Sequence, residues 1–409
     1  MPIEARAIPP AAYGLLTLPS GLGTGFFTVT LGYVLTNQGF SVAQMAAIIA
    51  MHSLPSTLRF LMGPVVDISL SPRRWYLICL IAGTGCIAAF AFVPLSPNAM
   101  PLLLMLALGH GMAASAGSAS VIAAMALTSA PVDRTAVGGW AQAGSLSGAG
   151  LGGGLGLWLA THAGGPAVSA LVLSGICLAC ALPLLWLRTP ARTAARFKDK
   201  VTDLVSGLWR FLASRTGVLA VIAVTIPAAL NASGNLYAAV AADWDAPADL
   251  VALVTGILSG LLTLPGCVVA GYLCKRIPSR IVYVAAAALC ALGQIGMALG
   301  PQTPSAFATF ILINAVVQGL AWGAVTAVIY EHLSPAAAAT LGTMLGSLCN
   351  VPVVLMIVLV GRVQTSSGSV AMLLMEAGVA LSALTAYSLL AWLWKPGQAE
   401  QPSRALAAT

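Results

Sequence analysis

Residues Leu54–Arg74 read LPSTLRFLMGPVVDISLSPRR. An apolar run ends at Gly63 and Pro64, an acid follows at Asp67, and a basic pair stands at Arg73 and Arg74. Gly and Pro punctuate the end of a helix. Cations just past an apolar run hold that end on the side of a membrane where basic loops belong. The stretch therefore reads as a span leaving a bilayer, and the rest of the chain can be searched for others.

The composition agrees. Of 409 residues, 59% are hydrophobic and 7% charged, with a mean hydropathy of +0.95, whereas about a quarter of an ordinary soluble domain is charged. So few charges cannot clothe a water-facing globule, and most of the outer surface must face lipid. The apolar stretches are long and continuous rather than short alternating strands, which excludes a β-barrel. Their Ala, Leu and Gly content suits packed helices.

Apolar runs bounded by Pro, Gly or charge fall at 11–36, 41–66, 75–94, 100–128, 135–161, 166–187, 214–241, 248–273, 280–300, 304–330, 337–361 and 368–394, twelve in all. Each is long enough to cross a bilayer. The fold expected is all-α, with twelve transmembrane helices in two pseudo-symmetric six-helix bundles. Its parts are a tail (1–10), a first bundle (11–188), a basic linker (189–213), a second bundle (214–394) and a closing tail (395–409). With the N-terminus cytoplasmic, sixteen of the eighteen Lys and Arg fall on that side, leaving Arg362 outside and Arg59 within a span. This bias orients the chain with both termini in the cytoplasm.

The halves echo each other. GPVVDISLSPRR after span two matches AGYLCKRIPSR after span eight, pairing Asp67 with Cys274 and Arg73 with Arg280 at an offset of 207. Pro131 and Gly138 likewise match Pro335 and Gly342 at an offset of 204. Two repeats about an axis along the membrane normal are a plan of two-lobed transporters. The eight cysteines lie mostly in or beside apolar runs and read as small packing residues rather than a disulfide framework or metal set.

The pattern Gly63, Asp67, Arg73–Arg74 resembles the loop between the second and third helices of major facilitator superfamily transporters. The wider stretch QGFSVAQMAAIIAMHSLPSTLRFLMGPVVD (38–67) resembles the branch that carries peptides, acetyl-coenzyme A and drugs. That branch includes muropeptide permeases of the AmpG type and short siderophore importers. The features in common are Gly39, Leu54–Pro55, Leu58–Arg59–Phe60–Leu61, Pro64 and Asp67. Arg59 stands where Lys is usual in the branch, and the chain has no room for the two extra helices of many muropeptide permeases, so length favours the siderophore group. The resemblance implies the major facilitator fold and a central cavity lined by spans one, four, seven and ten.

Gly63, Asp67, Arg73 and Arg74 form a candidate cytoplasmic latch, in which Asp67 accepts hydrogen bonds from a neighbouring helix N-terminus and pairs with arginines. Arg59 lies about 12 Å inside Asp67. A guanidinium there anchors an anionic substrate or partners Asp67 structurally. Candidate substrate-binding residues are Arg59, Thr24, Thr28, His110, the pair Asn231 and Asn235, and the stripe Asn314, Gln318 and Trp322. Candidates for proton coupling are His52 and His110, which titrate near neutrality when unperturbed, and Glu376, about 12 Å inside span twelve. For the polar stripes and for Glu376, helix-to-helix hydrogen bonding is the competing reading. In span five, GGWAQAGSLSGAGLGGGLG places Gly144, Gly148, Gly152 and Gly156 on one face, for close helix packing.

No Gly-x-Ser-x-Gly, His-Glu-x-x-His, phosphate-gripping loop or metal-spaced cluster is present. The reading is therefore a non-enzymatic secondary transporter of the bacterial inner membrane. It imports a small organic solute by alternating access with no cofactor beyond an ion gradient, taken to be protons. Its partners are the bilayer and a small-molecule substrate, not nucleic acid, and it acts as a monomer. A muropeptide permease, a drug exporter and a transporter-like sensor are the alternatives.

Overall fold

The structure is a computed structural model that describes residues 8–187, 197–226, 232–333 and 337–394. Among these residues there are helices and turns and no strand. Among the described residues seven helices are individually long and apolar enough to cross a membrane, the last of them holding two spans; the helices Pro72–Ala89 and Arg134–His162 and the broken segments at 42–68 and 215–240 complete twelve spans in two bundles.

In the first bundle span one is Pro10–Leu35, interrupted by a π turn at Phe26–Thr30. Span two is Val42–Thr57 continued by Met62–Ile68. Spans three to five are Pro72–Ala89, Met100–Thr128 and Arg134–His162, and span six is Pro166–Ala179 with a tight turn at Leu182–Leu185. Local sequence explains the breaks. Ser41 and Gln44 form a reciprocal capping box that starts span two. Pro64 has no N–H to donate, and the helix before it has already loosened into a 3-10 turn at Arg59–Leu61.

In the second bundle span seven is helical over Arg215–Thr225 and resumes as short turns at Ala232–Leu236 and Tyr237–Val240. The continuous helix expected over 214–241 is thus corrected. Ile226 is extended (ψ 143), the conformation a residue before proline prefers, and Pro227 follows. Span eight runs from Ala248–Ala252 through a π turn at Leu253–Leu258 to Ser259–Leu273. Spans nine and ten are Ser279–Leu299 and Pro304–Glu331. Spans eleven and twelve form Ala338–Leu393, separated at Gly368, whose φ of 84° and ψ of 176° reverse the chain as only glycine does readily. The acidic loop between spans seven and eight is not all solvent-facing, because Trp244 is fully buried against Phe307 at 6.0 Å between ring centroids.

The basic linker also has structure of its own. It holds a strongly amphipathic helix, Phe197–Ala213, bent by 80° from the span that follows. Its apolar positions recur with the 3.6-residue period of a helix, with charged residues on the other face.

The glycines of span five pack on two faces. Gly144, Gly148 and Gly152 lie against the backbone of span one at Gly14, Leu18 and Leu22. On the other face Gly139 meets Cys267 and Gly271, and Gly150 meets Gly260, bringing span five against span eight of the other bundle. The stripe read as packing is packing, and the second face of span five joins the lobes.

Candidate functional site

The two lobes are tied at the end that carries the basic loops. Gly63 lets the end of span two close on Ala339, Thr340 and Thr343 of span eleven. Four residues on, the buried Asp67 carboxylate accepts N–H bonds from Ala339 (3.2 Å) and Thr340 (2.8 Å) and an O–H bond from Thr340 (2.8 Å). These donors open the first turn of span eleven, where the unsatisfied N–H groups and helix dipole favour an anion. Phe60 N–H adds a bond to Ser347 Oγ (3.2 Å).

Arg73 and Arg74 occupy the first turn of span three, with Arg74 N–H capped by Ser71.

At the symmetry-related contact the acid sits on the opposite strut. Cys274 takes the place of Asp67 and is buried, while Asp133, just before span five, bonds Lys275 Nζ at 2.7 Å. That pair is partly exposed and contributes about 0–1 kcal/mol. Arg134, next in sequence, donates to Leu333 O of the other lobe (2.6 Å) and to Ala126 O (3.2 Å).

Just inside these ties lies a cavity of about 350 Å³ between the lobes. Among the described residues its walls come from spans one, two, four, five, ten and eleven, so spans two, five and eleven join the set the resemblance implied. Of the candidate binding residues, Thr24, Arg59 and Trp322 line it, as does His52. Arg59 projects from the 3-10 turn that breaks span two, so its long side chain leaves where the helix is already open. It reaches across to Gly346 of span eleven, and its Nε is buried without a hydrogen-bond partner. Tyr330, Cys349 and Asn350 complete the wall on that side.

Other candidates fall elsewhere. Thr28 back-bonds to Thr24 O (2.8 Å) and is not part of the cavity wall. Asn314 and Gln318 lie farther from the basic end on span ten and also stand outside the wall. Asn231 and the side chain of Asn235 fall outside the described residues. The wall instead uses polar groups at three-residue spacing that the reading passed over: Ser53 and Ser56 before Arg59, Ser115 and Ser118, and Gln142 and Ser145. A period-three scan upstream of Arg59 would have found the first pair. Gln142 and Ser145 were masked by the glycines around them.

His52 and His110, read separately, form a pair. His52 Nε2 and His110 Nδ1 are 3.0 Å apart, both rings are buried, and Phe27 stacks on His52 at 4.8 Å. One imidazole donates and the other accepts. His52 faces the central cavity, and His110 faces a smaller void among spans one, three, four and six. The pair fits only because Gly23 leaves room for the His110 ring and Gly111 lets span four touch the backbone of His52. Gly23→Ala should push the rings apart. Overpacking of this kind costs about 1–3 kcal/mol, so thermal unfolding in detergent should fall by several degrees, while Gly85→Ala, with open space around it, should not lower it.

Glu376 is buried in the second lobe, away from the cavity, and accepts N–H bonds from Ala232 (2.6 Å) and Ser233 (2.9 Å). It holds the resumed segment of span seven, and Gln294 of span nine reaches Ser233 from the far side (3.4 Å). This geometry is the helix-to-helix bonding weighed against proton coupling.

Twelve spans in two lobes, a polar cavity on the axis between them and paired ties at one end make a two-lobed membrane carrier. The family model of the Major Facilitator Superfamily matches residues 13–357, and the chain belongs to that family. Solved structures share the fold at low identity. The human organic anion transporter MFSD10 (TETRAN) is 16% identical over 93% of this chain and 100% of that one, with a TM-score of 0.68. A variant of the E. coli fucose:proton symporter FucP is 12% identical over 93% and 97%, with a TM-score of 0.71. The proton:xylose symporter XylE is 12% identical over 94% and 95%, with a TM-score of 0.69. No curated protein matches the sequence.

Proposed function

We propose that this carrier imports a small organic anion across the bacterial inner membrane, coupled to protons, with Arg59 as the anchor for the anionic group. The observation that carries the reading is a guanidinium in the inter-lobe cavity whose Nε has no protein partner. A charge kept at membrane depth is expensive unless something compensates it, and a carboxylate or catecholate on a bound solute would do so through the two-pronged guanidinium face. The serine and glutamine side chains around it supply neutral hydrogen bonds, and Trp322 a flat apolar surface. Siderophore-like anions fit this chemistry and the resemblance to short siderophore importers.

The His52–His110 pair is the proton site in this proposal. A hydrogen-bonded pair of imidazoles can share one added proton, and His52 borders the same cavity as Arg59. A proton there would add positive charge beside the anion, so loading one favours loading the other. The excess of Lys and Arg on one set of loops supports a cytoplasmic orientation for that face and both termini.

The test is uptake into proteoliposomes of labelled siderophores, muropeptides and neutral analogues, with and without an inward proton gradient. Anionic solutes should accumulate only with the gradient. Equal handling of charged and neutral analogues would overturn the anion reading. His52→Gln should keep exchange of substrate for substrate and lose gradient-driven accumulation by roughly tenfold or more. Accumulation at the normal level in that variant would remove the pair from coupling.

A further inference from the structure

We propose that the linker helix Phe197–Ala213 is an interfacial anchor that docks on anionic phospholipid at the basic end of the carrier. Its sequence is FKDKVTDLVSGLWRFLA. Val201, Leu204, Val205, Leu208, Trp209, Phe211 and Leu212 recur at helical spacing and form one apolar arc. The protein covers only half of that arc. Leu204 and Phe211 are buried, the helix packs on the last turns of span two, and Phe211 meets the His332 ring edge-on at 5.7 Å. The adjoining half is bare, with Val205 55%, Trp209 73% and Leu212 40% exposed.

Orientation decides what covers the bare half. The helix turns into span seven at Ser214 through 80°. Span seven crosses the bilayer, so the linker helix lies along its surface, at headgroup depth. Trp is the residue suited to that depth, and a helix with one apolar face and a charged opposite face lies in the interface rather than spanning it. The charge favours an acidic leaflet. Lys198, Lys200 and Arg210 outnumber Asp199 and Asp203 within the helix, Arg215 follows it, and Arg188, Arg192 and Arg196 precede it in sequence. Cations in such a segment are drawn to anionic headgroups. The anchor stands apart from the cavity and does not depend on what the cavity binds.

The full-length protein in nanodiscs tests this with no transport substrate. Tryptophan emission of wild type minus that of Trp209→Phe isolates Trp209. Lipids brominated near the headgroup should quench that difference signal, and aqueous iodide should not. Quenching by iodide alone would overturn the docking. Hydrogen exchange across 201–213 should slow when phosphatidylcholine is replaced by an equal mixture with phosphatidylglycerol. The slowing should be lost in Lys198→Gln/Lys200→Gln/Arg210→Gln, each cation being worth at most about fivefold. Identical exchange in the two lipids, or slowing retained in the triple variant, would overturn the anionic preference. Protection of Trp209 that instead rises with protein concentration in lipid-free detergent would assign the face to a second copy.

Discussion

On the anchoring role proposed for it, Arg59→Gln is expected to weaken binding of an anionic solute strongly while leaving the protein folded. The guanidinium reaches into the inter-lobe cavity toward Gly346, and its Nε carries no hydrogen bond to protein. Removing it therefore breaks no internal hydrogen bond at that atom and relieves a charge held at membrane depth. What is lost is the counter-charge for the solute. A hydrogen bond to a charged group is worth about 1.5–3 kcal/mol, so Kd should weaken by roughly 10- to 150-fold. Calorimetry or tryptophan quenching on the purified carrier would measure it. Arg59→Lys keeps the charge but not the planar fork and should fall between. Gly346→Ala gives an independent check, because a Cβ there would overlap Arg59 Nη2 and should displace the anchor without removing its charge. Unchanged affinity in both Arg59→Gln and Gly346→Ala would make Arg59 a structural residue.

Asp67→Asn should shift the carrier away from the state in which its basic end is tied. The carboxylate accepts three bonds from Ala339 and Thr340 at the first turn of span eleven. Asparagine offers one acceptor oxygen, turns an NH2 toward donors and removes the charge that the helix terminus favours. The loss is about 2–3 kcal/mol, which lowers the ratio of tied to open molecules by roughly 30- to 150-fold. Distances between spin labels on the basic ends of the two lobes would report the shift. Thr340→Val, which removes only the hydroxyl bond, should give a smaller change of about 1 kcal/mol. A distance distribution identical to wild type in Asp67→Asn would show that these bonds do not set the state. The Asp133–Lys275 pair, half in solvent, should contribute far less, and Lys275→Gln serves as the comparison.

Arg59 and Asp67 were legible from spacing because a charge in an apolar run is conspicuous wherever the chain goes. Asp67 was read as an acceptor for a helix N-terminus and a partner of arginines, and nothing in the primary sequence said which helix. That partner lies 272 residues away at Ala339. His52 and His110 show the limit more sharply. Each reads as an isolated histidine in its own span, and only the crossing of spans two and four, permitted by Gly111, puts their nitrogens 3.0 Å apart. Asn314 and Gln318 stand outside the wall of this cavity although they share a helix with Trp322, and an amide stripe on a helix looks the same in sequence whether it faces a cavity or a neighbouring helix.

Hydropathy, the placing of charges and the two half-repeats are written along the chain, because a bilayer imposes span length and loop charge on each segment separately. From these the sequence alone determined the membrane class, the twelve spans, the two lobes and the basic end. Which spans wall the cavity, that Arg59 opens into it, that two histidines share a hydrogen bond and that the linker is half a bare apolar helix were decided only by tertiary structure. Each depends on how one helix is rotated and how closely it approaches another, and those follow from packing between residues far apart in the chain.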